Sequence, residues 1–418
     1  MKLKFAGKNT VTKTAATLAM SAALTAPALA APGDYTPLGF KAGNFTFFPT
    51  SVIGVEYDDN LFALPDGFEE SDVVAHLKPG IDAKGRLSGG STLDFYANSH
   101  LGFHADYDVA DFTDFTAGMR SRAFFSKAVS LKSSTEYAYK HEEFGFVNTI
   151  LSGIPGDEPV TYNQIKGALA LQVRPGRTGF SIGADATGLF FNDQDAAGGI
   201  TNSQEHRNRW HVNYFAEFAQ DIDQRTGFYI RAGGNGRAYT DRGTFADRDS
   251  QGFEIVAGAR VKATGKLNLD FRAGYVKQMF ENSNFDSVSD FIFGGGMTWT
   301  PSAFAEIRVD ANRSVLETND SFFSSFVGTQ VGTHVSLFPA ENITLWGKGR
   351  YINRDYQPAA TTAGDRDDDE LFGEIGGQIK FNRNIGLGAY YNITDRQSSF
   401  STIDYSRNKF MVELSLAR

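Results

Sequence analysis

The sequence predicts an all-β fold, a single transmembrane antiparallel β-barrel of about eighteen strands with short periplasmic turns and long extracellular loops. Two patterns lead to this prediction. Stretches of about ten residues recur in which apolar and polar side chains alternate, and the connections between them are alternately short and long. The stretch 303–312, AFAEIRVDAN, is the clearest case. Because successive side chains of a strand point to opposite faces, one face of this strand is apolar and the other is charged.

The N-terminal thirty residues predict a secretory signal peptide. Four lysines within the first thirteen residues form a basic region, residues 15–24 (AATLAMSAAL) form a short apolar region, and residues 28–30 (ALA) fit a cleavage site. The apolar region is too short for a spanning helix. We therefore expect a signal peptide over 1–30, a short periplasmic segment over 31–46, and an outer-membrane barrel over 47–418.

Individual strands are placed by alternation, and clusters of Gly, Pro, Asn and Asp mark the turns between them. Short connections such as 174–177 and 263–266 alternate with long ones such as 143–159 and 357–369. In a transmembrane barrel the short turns lie in the periplasm and the long loops lie outside the cell. The predicted strands are 47–60, 71–85, 91–105, 113–126, 129–143, 159–174, 178–191, 205–220, 226–240, 251–264, 267–281, 289–300, 303–316, 325–338, 342–355, 370–382, 385–396 and 406–417.

Composition excludes several classes of function. The net charge of −9 argues against a nucleic-acid-binding protein, which is usually basic. The chain has no cysteine, so disulfides, thiolate metal ligands and cysteine nucleophiles are absent. Because no phosphate-binding loop, zinc-ligand spacing or serine-hydrolase motif occurs, we predict no catalytic residue, no metal and no cofactor, and therefore no enzyme. A hydrolase with its site in the lumen or at the membrane interface is the remote alternative.

Ionisable side chains concentrate on the face opposite the apolar one, and we predict that they line the lumen. They either pair with one another to stiffen the wall or select the solutes that pass. Five aromatic side chains, Tyr96, Phe215, Tyr229, Trp346 and Tyr390, fall on the same face, where they fill space or stack on sugars. The predicted lumen-lining residues are Arg120, Arg122, Glu136, Arg209, His211, Arg231, Arg237, Glu254, Arg260, Arg272, Glu306, Arg308, Lys348 and Arg350.

Two other clusters are predicted to carry no metal. His100 and His104 lie on one face of a strand about 13 Å apart, which is too far for one ion. The acidic run 365–370 (DRDDDE) could hold surface calcium, but it lacks the spaced ligands of a calcium loop. We expect this run to be a solvated loop.

The stretch 51–62, SVIGVEYDDNLF, resembles the opening of the beta-barrel porin 2 family of Gram-negative outer membranes. The resemblance implies an outer-membrane barrel, often one associated with export of an exopolysaccharide or capsule, in which the barrel is the exit pore for the polymer. The last stretch, 410–418, alternates to its end and resembles the C-terminal signal that barrel-assembly machinery reads, although it ends in Arg418 where that signal has an aromatic residue.

The first functional hypothesis is therefore an outer-membrane exit conduit for an exopolysaccharide or capsule-type polymer. One alternative is a general or solute-selective porin. Another is a closed structural or surface-recognition barrel whose loops bind partners. The expected interaction partners are outer-membrane lipid and lipopolysaccharide, barrel-assembly machinery and, for the first hypothesis, periplasmic polysaccharide-export components. No nucleic acid is expected.

Overall fold

The computed structural model describes residues 35–145, 157–240, 248–318, 323–358 and 364–418. The predicted signal peptide and residues 31–34 lie outside the described residues. No helix in the described ranges is long and apolar enough to span a membrane. Short 3₁₀ turns cover Ser88–Gly90, Asp108–Ala110, Glu205–Arg207 and Ser401–Ile403.

Long strands account for most of the described chain. The strands are β1 (Phe40–Ala42), β2 (Phe45–Asp58), β3 (Asp72–Arg86), β4 (Thr92–His104), β5 (Phe112–Phe124), β6 (Val129–His141), β7 (Thr161–Val173), β8 (Thr178–Phe191), β9 (Gln194–Ala196), β10 (Ile200–Asn202), β11 (Arg209–Asp221), β12 (Thr226–Tyr239), β13 (Ser250–Thr264), β14 (Leu267–Phe280), β15 (Val288–Ser302), β16 (Ala305–Glu317), β17 (Phe323–Ala340), β18 (Ile343–Pro358), β19 (Asp367–Lys380), β20 (Ile385–Ser398) and β21 (Tyr405–Ala417).

Eighteen of these strands, β2 to β8 and β11 to β21, form a closed antiparallel ring within the described residues. Each pairs with the next strand in sequence, β8 pairs with β11, and β21 pairs with β2 to close the ring. The short β1 pairs only with the start of β2, and β9 and β10 form a separate hairpin. The predicted eighteen-strand antiparallel barrel is confirmed.

Short and long connections segregate to opposite ends of the barrel, as predicted. Turns such as 303–304 and 341–342 lie at one end, and loops such as 59–71 lie at the other. Strand boundaries differ by a few residues. The eighth predicted strand starts at Arg209 and not at residue 205, because Glu205–Arg207 forms a 3₁₀ turn. The first begins at Phe45, because β1 extends the sheet there through a hairpin at Gly43, whose φ is +58°.

The two faces of the wall are inverted relative to those of a water-soluble protein. On β20 the apolar Leu387 and Tyr391 are 41% and 42% exposed, while the polar Asn392 and Arg396 are 1% and 2% exposed. A soluble protein buries its large apolar side chains and leaves charged ones in water. An exposed apolar belt around a polar interior is the arrangement of a barrel that sits in a lipid bilayer.

Candidate functional site

The candidate site is the inner wall of the barrel, and its first feature lies where the ring closes. We call Glu56, Asp58, Arg407 and Lys409 the seam cluster. Arg407 donates from Nε to Asp58 Oδ1 at 2.9 Å and from Nη2 to Asp58 Oδ2 at 2.5 Å. Lys409 Nζ lies 3.3 Å from Glu56 Oε1 and 3.2 Å from Asp58 Oδ2. All four side chains are buried, so their charges hold β2 against β21 in a place where an unpaired charge would be costly.

The remaining polar residues of the opening motif also act at this seam. Asp59 accepts hydrogen bonds from Asn408 N at 2.6 Å and Asn408 Nδ2 at 2.7 Å. Asn60 Nδ2 donates to the carbonyl oxygens of Ser406 at 2.9 Å and Leu64 at 2.8 Å. The stretch that carries the family resemblance therefore joins the first long strand of the barrel to the last.

The acidic run 365–370 is not the solvated loop that we expected. Strand β19 begins at Asp367, inside the run. Asp368 is fully buried and accepts from Arg366 Nη2 at 2.8 Å and Arg396 Nη2 at 2.7 Å. The prediction failed because it judged the run by its composition, whereas guanidinium partners from other parts of the chain make burial of the carboxylates possible.

A second cluster bridges strands that are not neighbours in the wall. Glu317, at the end of β16, lies 2.8 Å from Arg209 Nε, 2.6 Å from His211 Nε2 and 3.4 Å from Arg237 Nε, on β11 and β12. Four strands separate β11 from β16 in the ring. We call these four residues the Glu317 cluster. It brings together three of the predicted residues, but Glu317 itself was missed.

The path of β16 explains how Glu317 reaches β11 and β12. Pairing between β15 and β16 ends at Phe293 and Arg313, whereas pairing between β16 and β17 continues to Glu317 and Ser325. The tip of the β16–β17 hairpin therefore leaves the wall. Phe323 at the start of β17 is buried as a result, although the prediction assigned this region to a solvent-exposed loop.

The loop between β6 and β7 also crosses the extracellular mouth. Glu142 accepts from Arg207 Nη2 at 2.6 Å. The carbonyl oxygen of Phe144 accepts from Arg407 Nη1 at 3.3 Å, and that of Gly145 accepts from Tyr405 OH at 3.4 Å. Four strands separate β6 from β21 in the ring, so residues 142–145 narrow the opening.

Close packing fixes this segment in place. The ring of Phe62, from the β2–β3 loop, lies 4.7 Å from that of Phe144 and 5.1 Å from that of Tyr107. Gly145 has a φ of +73°, and a Cβ atom there would lie 2.4 Å from the Cβ of Ala63. A residue with a side chain at position 145 would therefore displace one of the two loops.

Histidines group around one aromatic ring, that of Phe112. His100 Nε2 lies 3.0 Å from Nδ1 of His76, a neighbour that the prediction missed, and His104 instead contacts Asp111. The ring of Phe112 lies 4.0 Å from that of His141 and 5.0 Å from that of His100. In the described part of the chain, no group of three or more His, Cys, Asp or Glu side chains could hold a metal ion.

At the other end of the lumen lies a cavity of about 360 Å³, which we call the basic cavity. Lys127 and Ala128, in the turn between β5 and β6, line it, so it opens at the end with the short turns. The charged side chains of its lining are Arg122, Lys127, Lys132, Arg174, Arg231, Arg260 and Glu217.

Only some of these charges are paired. Glu217 accepts from Arg231 on the neighbouring strand and lies 3.5 Å from Arg260 Nη2. Arg174 pairs with Asp221. Arg122, in contrast, forms no ion pair among the described residues, and its guanidinium lies 4.7 Å from the centre of the Phe124 ring.

The other predicted residues lie in smaller groups along the wall and do not form one site. Tyr96 OH donates to Glu136 Oε2 at 2.7 Å while Arg120 stacks on the Tyr96 ring at 4.6 Å. The predicted aromatic residues likewise contact wall residues. The remaining polar contacts are Arg272 to Asn312 at 3.4 Å, Arg308 to Glu306 at 2.5 Å, Lys348 to Glu374 at 2.7 Å, Arg350 to Glu370 at 3.1 Å, Trp346 to Glu374 at 2.6 Å and Tyr229 to Asp270 at 3.4 Å. Glu254 lies opposite Gly233 on β12. The guanidinium of Arg231 lies over the ring of Phe215, and Tyr390 packs with Phe372 and Met411.

Local hydrogen bonds shift the pKa of two groups outside the membrane-spanning strands. Tyr107 OH donates to Glu70 Oε2 at 2.7 Å between two extracellular loops, and this bond raises the pKa of Tyr107. In the turn between β11 and β12, the backbone N–H groups of Arg225 and Thr226 donate to Asp223 Oδ1 at 2.6 and 2.7 Å. They stabilise the carboxylate and lower the pKa of Asp223.

Comparison with known proteins identifies the family. The family model described as "Putative beta-barrel porin 2" matches residues 31–418. The chain belongs to this family. Its members are outer-membrane β-barrel proteins, so the predicted family and the predicted outer-membrane location are both supported. No curated protein sequence matches the chain.

Several solved structures are similar to this chain. OpdK of Pseudomonas aeruginosa, solved with vanillate, is 10% identical, with 89% of this chain and 99% of that chain covered and a TM-score of 0.47. OpdO of Pseudomonas aeruginosa is 13% identical, with coverages of 90% and 97% and a TM-score of 0.46. The copper transporter OprC is 10% identical, with coverages of 91% and 81% and a TM-score of 0.47.

Proposed function

We propose that this protein is a porin, a passive channel through which small polar solutes cross the outer membrane. One observation carries the proposal: a closed ring of eighteen strands has an apolar outer face and a charged inner face. Barrels of 16 to 18 strands are wide enough to enclose an aqueous channel. Charged side chains along such a wall attract or repel solutes by charge. The proposal assigns transport and no enzymatic activity to the chain.

The polymer conduit that the family resemblance implies is less well supported than the porin. Residues 142–145 reach over the extracellular mouth to contact β21, and the Glu317 cluster bridges β16 and β11 across part of the lumen. A polysaccharide chain has to pass both obstacles as a continuous strand. A small solute needs only the space between them. The geometry therefore favours the solute channel, the general or solute-selective porin that the sequence left open as an alternative.

The same obstacles favour a second candidate, the closed barrel whose loops recognise a partner. Planar-bilayer recording with the purified full-length protein separates the two. We expect discrete current steps for a porin, and swelling of liposomes in small sugars but not in large oligosaccharides. An absence of current across all salts and voltages would leave the closed barrel as the better explanation. Swelling in long oligosaccharides would restore the polymer conduit.

Maturation and partners belong to the same proposal. We expect removal of residues 1–30 on export, insertion by barrel-assembly machinery, and contact of the apolar belt with lipid and lipopolysaccharide. Mass spectrometry of the protein from outer membranes tests the cleavage, because the mature chain should then begin at residue 31. An intact N-terminus in assembled barrels would contradict it.

A further inference from the structure

We propose that the basic cavity binds a small oxyanion, a carboxylate or a phosphate group on a small solute, as that solute passes through the channel. The inference rests on the proposed function and names the class of solute. Its first support is the charge of the lining. Six cationic side chains and one carboxylate, Glu217, line the cavity. Arg174 pairs with Asp221, and Arg231 and Arg260 pair with Glu217, so Arg122, Lys127 and Lys132 carry the charge that no ion pair among the described residues neutralises. A cavity with this excess of positive charge concentrates anions.

The second support is a pair of like charges placed opposite each other. Arg122 on β5 is directly opposite Lys132 on β6, and both line the cavity. Like charges in directly opposed positions destabilise a sheet. Among the described residues, neither side chain forms an ion pair with a carboxylate, and Arg122 is exposed to the lumen. An anion held between them would relieve the repulsion.

The third support is the fixed orientation of the guanidinium groups. Arg231 stacks on Phe215 at 4.3 Å, and Arg260 stacks on Tyr229 at 4.2 Å. Arg122 stacks on Phe124 in the same manner. Stacking holds the planar fork of Arg122 in place before a ligand arrives, and such a fork matches the two oxygens of a carboxylate or phosphate. The forks of Arg231 and Arg260 already contact Glu217, which fixes them in the wall beside it.

The size and polarity of the cavity suit a small solute. Its volume of about 360 Å³ lies at the lower end of the range for small-molecule sites, roughly 300–1,000 Å³. Ser130, Gln172 and Ser181 add neutral polar groups to the lining. These groups can bond the rest of a polar molecule while the cations hold its anionic group.

Calorimetric titration of the detergent-solubilised full-length protein tests the site. The probes are succinate and inorganic phosphate, with succinamide as the neutral analogue. We expect saturable binding of one or both anions that weakens as salt is added, and no binding of succinamide. Binding of succinate alone would restrict the site to carboxylates, and binding of both would extend it to oxyanions in general. Binding of neither anion, or equal binding of succinamide, would overturn the proposal.

Variants locate the site. In the double variant Arg122→Gln/Lys132→Gln we expect affinity to fall by at least about tenfold, because two charge-assisted contacts are lost. The control Arg308→Gln/Lys348→Gln removes the same two residue types from β16 and β18, outside the cavity, where each pairs with a carboxylate, and it should change affinity less than about twofold. An equal loss in both doubles would overturn the proposal. Arg122→Lys provides a second test, because it keeps the charge but loses the fork, and we expect an intermediate loss.

The bilayer experiment separates this inference from the proposed function. Current steps without anion binding would reject the site and leave the porin. Anion binding without current would keep the site in a barrel that does not conduct.

Discussion

The two ends of the lumen neutralise their charges in different ways. At the extracellular end, the carboxylates of the seam cluster and the Glu317 cluster are buried, and each lies against two or three basic side chains, histidines included. At the periplasmic end, Arg122 lies exposed to the lumen and directly opposite Lys132. Buried and fully paired charges fix the shape of a wall, whereas solvated charges without partners can interact with solutes. The extracellular end therefore closes and narrows the barrel, whereas we expect the periplasmic end to recognise solutes.

The largest expected effect comes from removing a charge at the seam. Asp58→Asn leaves Arg407 and Lys409 buried with too few carboxylates, and we expect a loss of about 3–5 kcal/mol in the free energy of unfolding. Denaturant titration of the barrel in lipid vesicles measures it. The neighbouring Asp59→Asn is the matched control, because Asp59 bonds only the uncharged Asn408, and it should cost about 1 kcal/mol. Equal losses in the two variants would show that the ion pairs do not hold the seam.

The next effect concerns the narrowed mouth. Gly145→Val requires a β-branched residue at a φ of +73° and forces its side chain against Ala63, so we expect the loops to separate. The strained backbone should cost about 1–3 kcal/mol, and the single-channel conductance should rise. Gly67→Val is the matched control, because Gly67 has a φ of +88° but a Cβ there meets nothing within 4 Å. If both variants conduct alike, the packing of residues 142–145 does not limit the opening.

The sequence alone predicted most of the wall. Alternation with a period of two is a local property, so AFAEIRVDAN was placed in what is now β16, with Glu306 and Arg308 among the lumen-lining residues. The same rule identified Arg209 and Arg231 on β11 and β12. It required no knowledge of which strands are neighbours.

Contacts between distant parts of the chain could not be predicted in this way. Arg209 and Glu317 are 108 residues apart, and their meeting depends on the β16–β17 tip leaving the wall. The run around Asp368 was misjudged because its partner Arg396 comes from another strand. His76 near His100 was within reach, since the register of adjacent hairpin strands places His76 opposite Gly102 and so diagonal to His100 on the same face.

A smaller effect of opposite sign is expected inside the basic cavity. Arg122→Gln removes repulsion with Lys132, so we expect the free energy of unfolding to rise by about 0.2–1 kcal/mol. Arg231→Gln removes the closest partner of the buried Glu217 and should lower the free energy of unfolding by about 1–3 kcal/mol. Denaturant titration of both variants tests the contrast. A loss of stability in Arg122→Gln would show that this arginine has a structural role, and the difference between the two ends would then disappear.

The smallest effect concerns the pH dependence of a periplasmic turn. Backbone N–H groups lower the pKa of Asp223 below its ordinary value of 3.8, so the folded state binds a proton less readily there than the unfolded state does. The stabilisation is therefore present above pH 3.8 and is lost as the pH falls through the lowered pKa. The unfolding midpoints of Asp223→Asn and of the unaltered protein are compared at about pH 6 and at about pH 3. We expect a small difference between the two midpoints at about pH 6 and a smaller one at about pH 3. Because Asp223 is fully exposed, that difference should be far below the one produced by Asp58→Asn at the buried seam. A difference as large as that of Asp58→Asn would mean that the periplasmic turns, and not the paired charges of the seam, control the stability of the barrel.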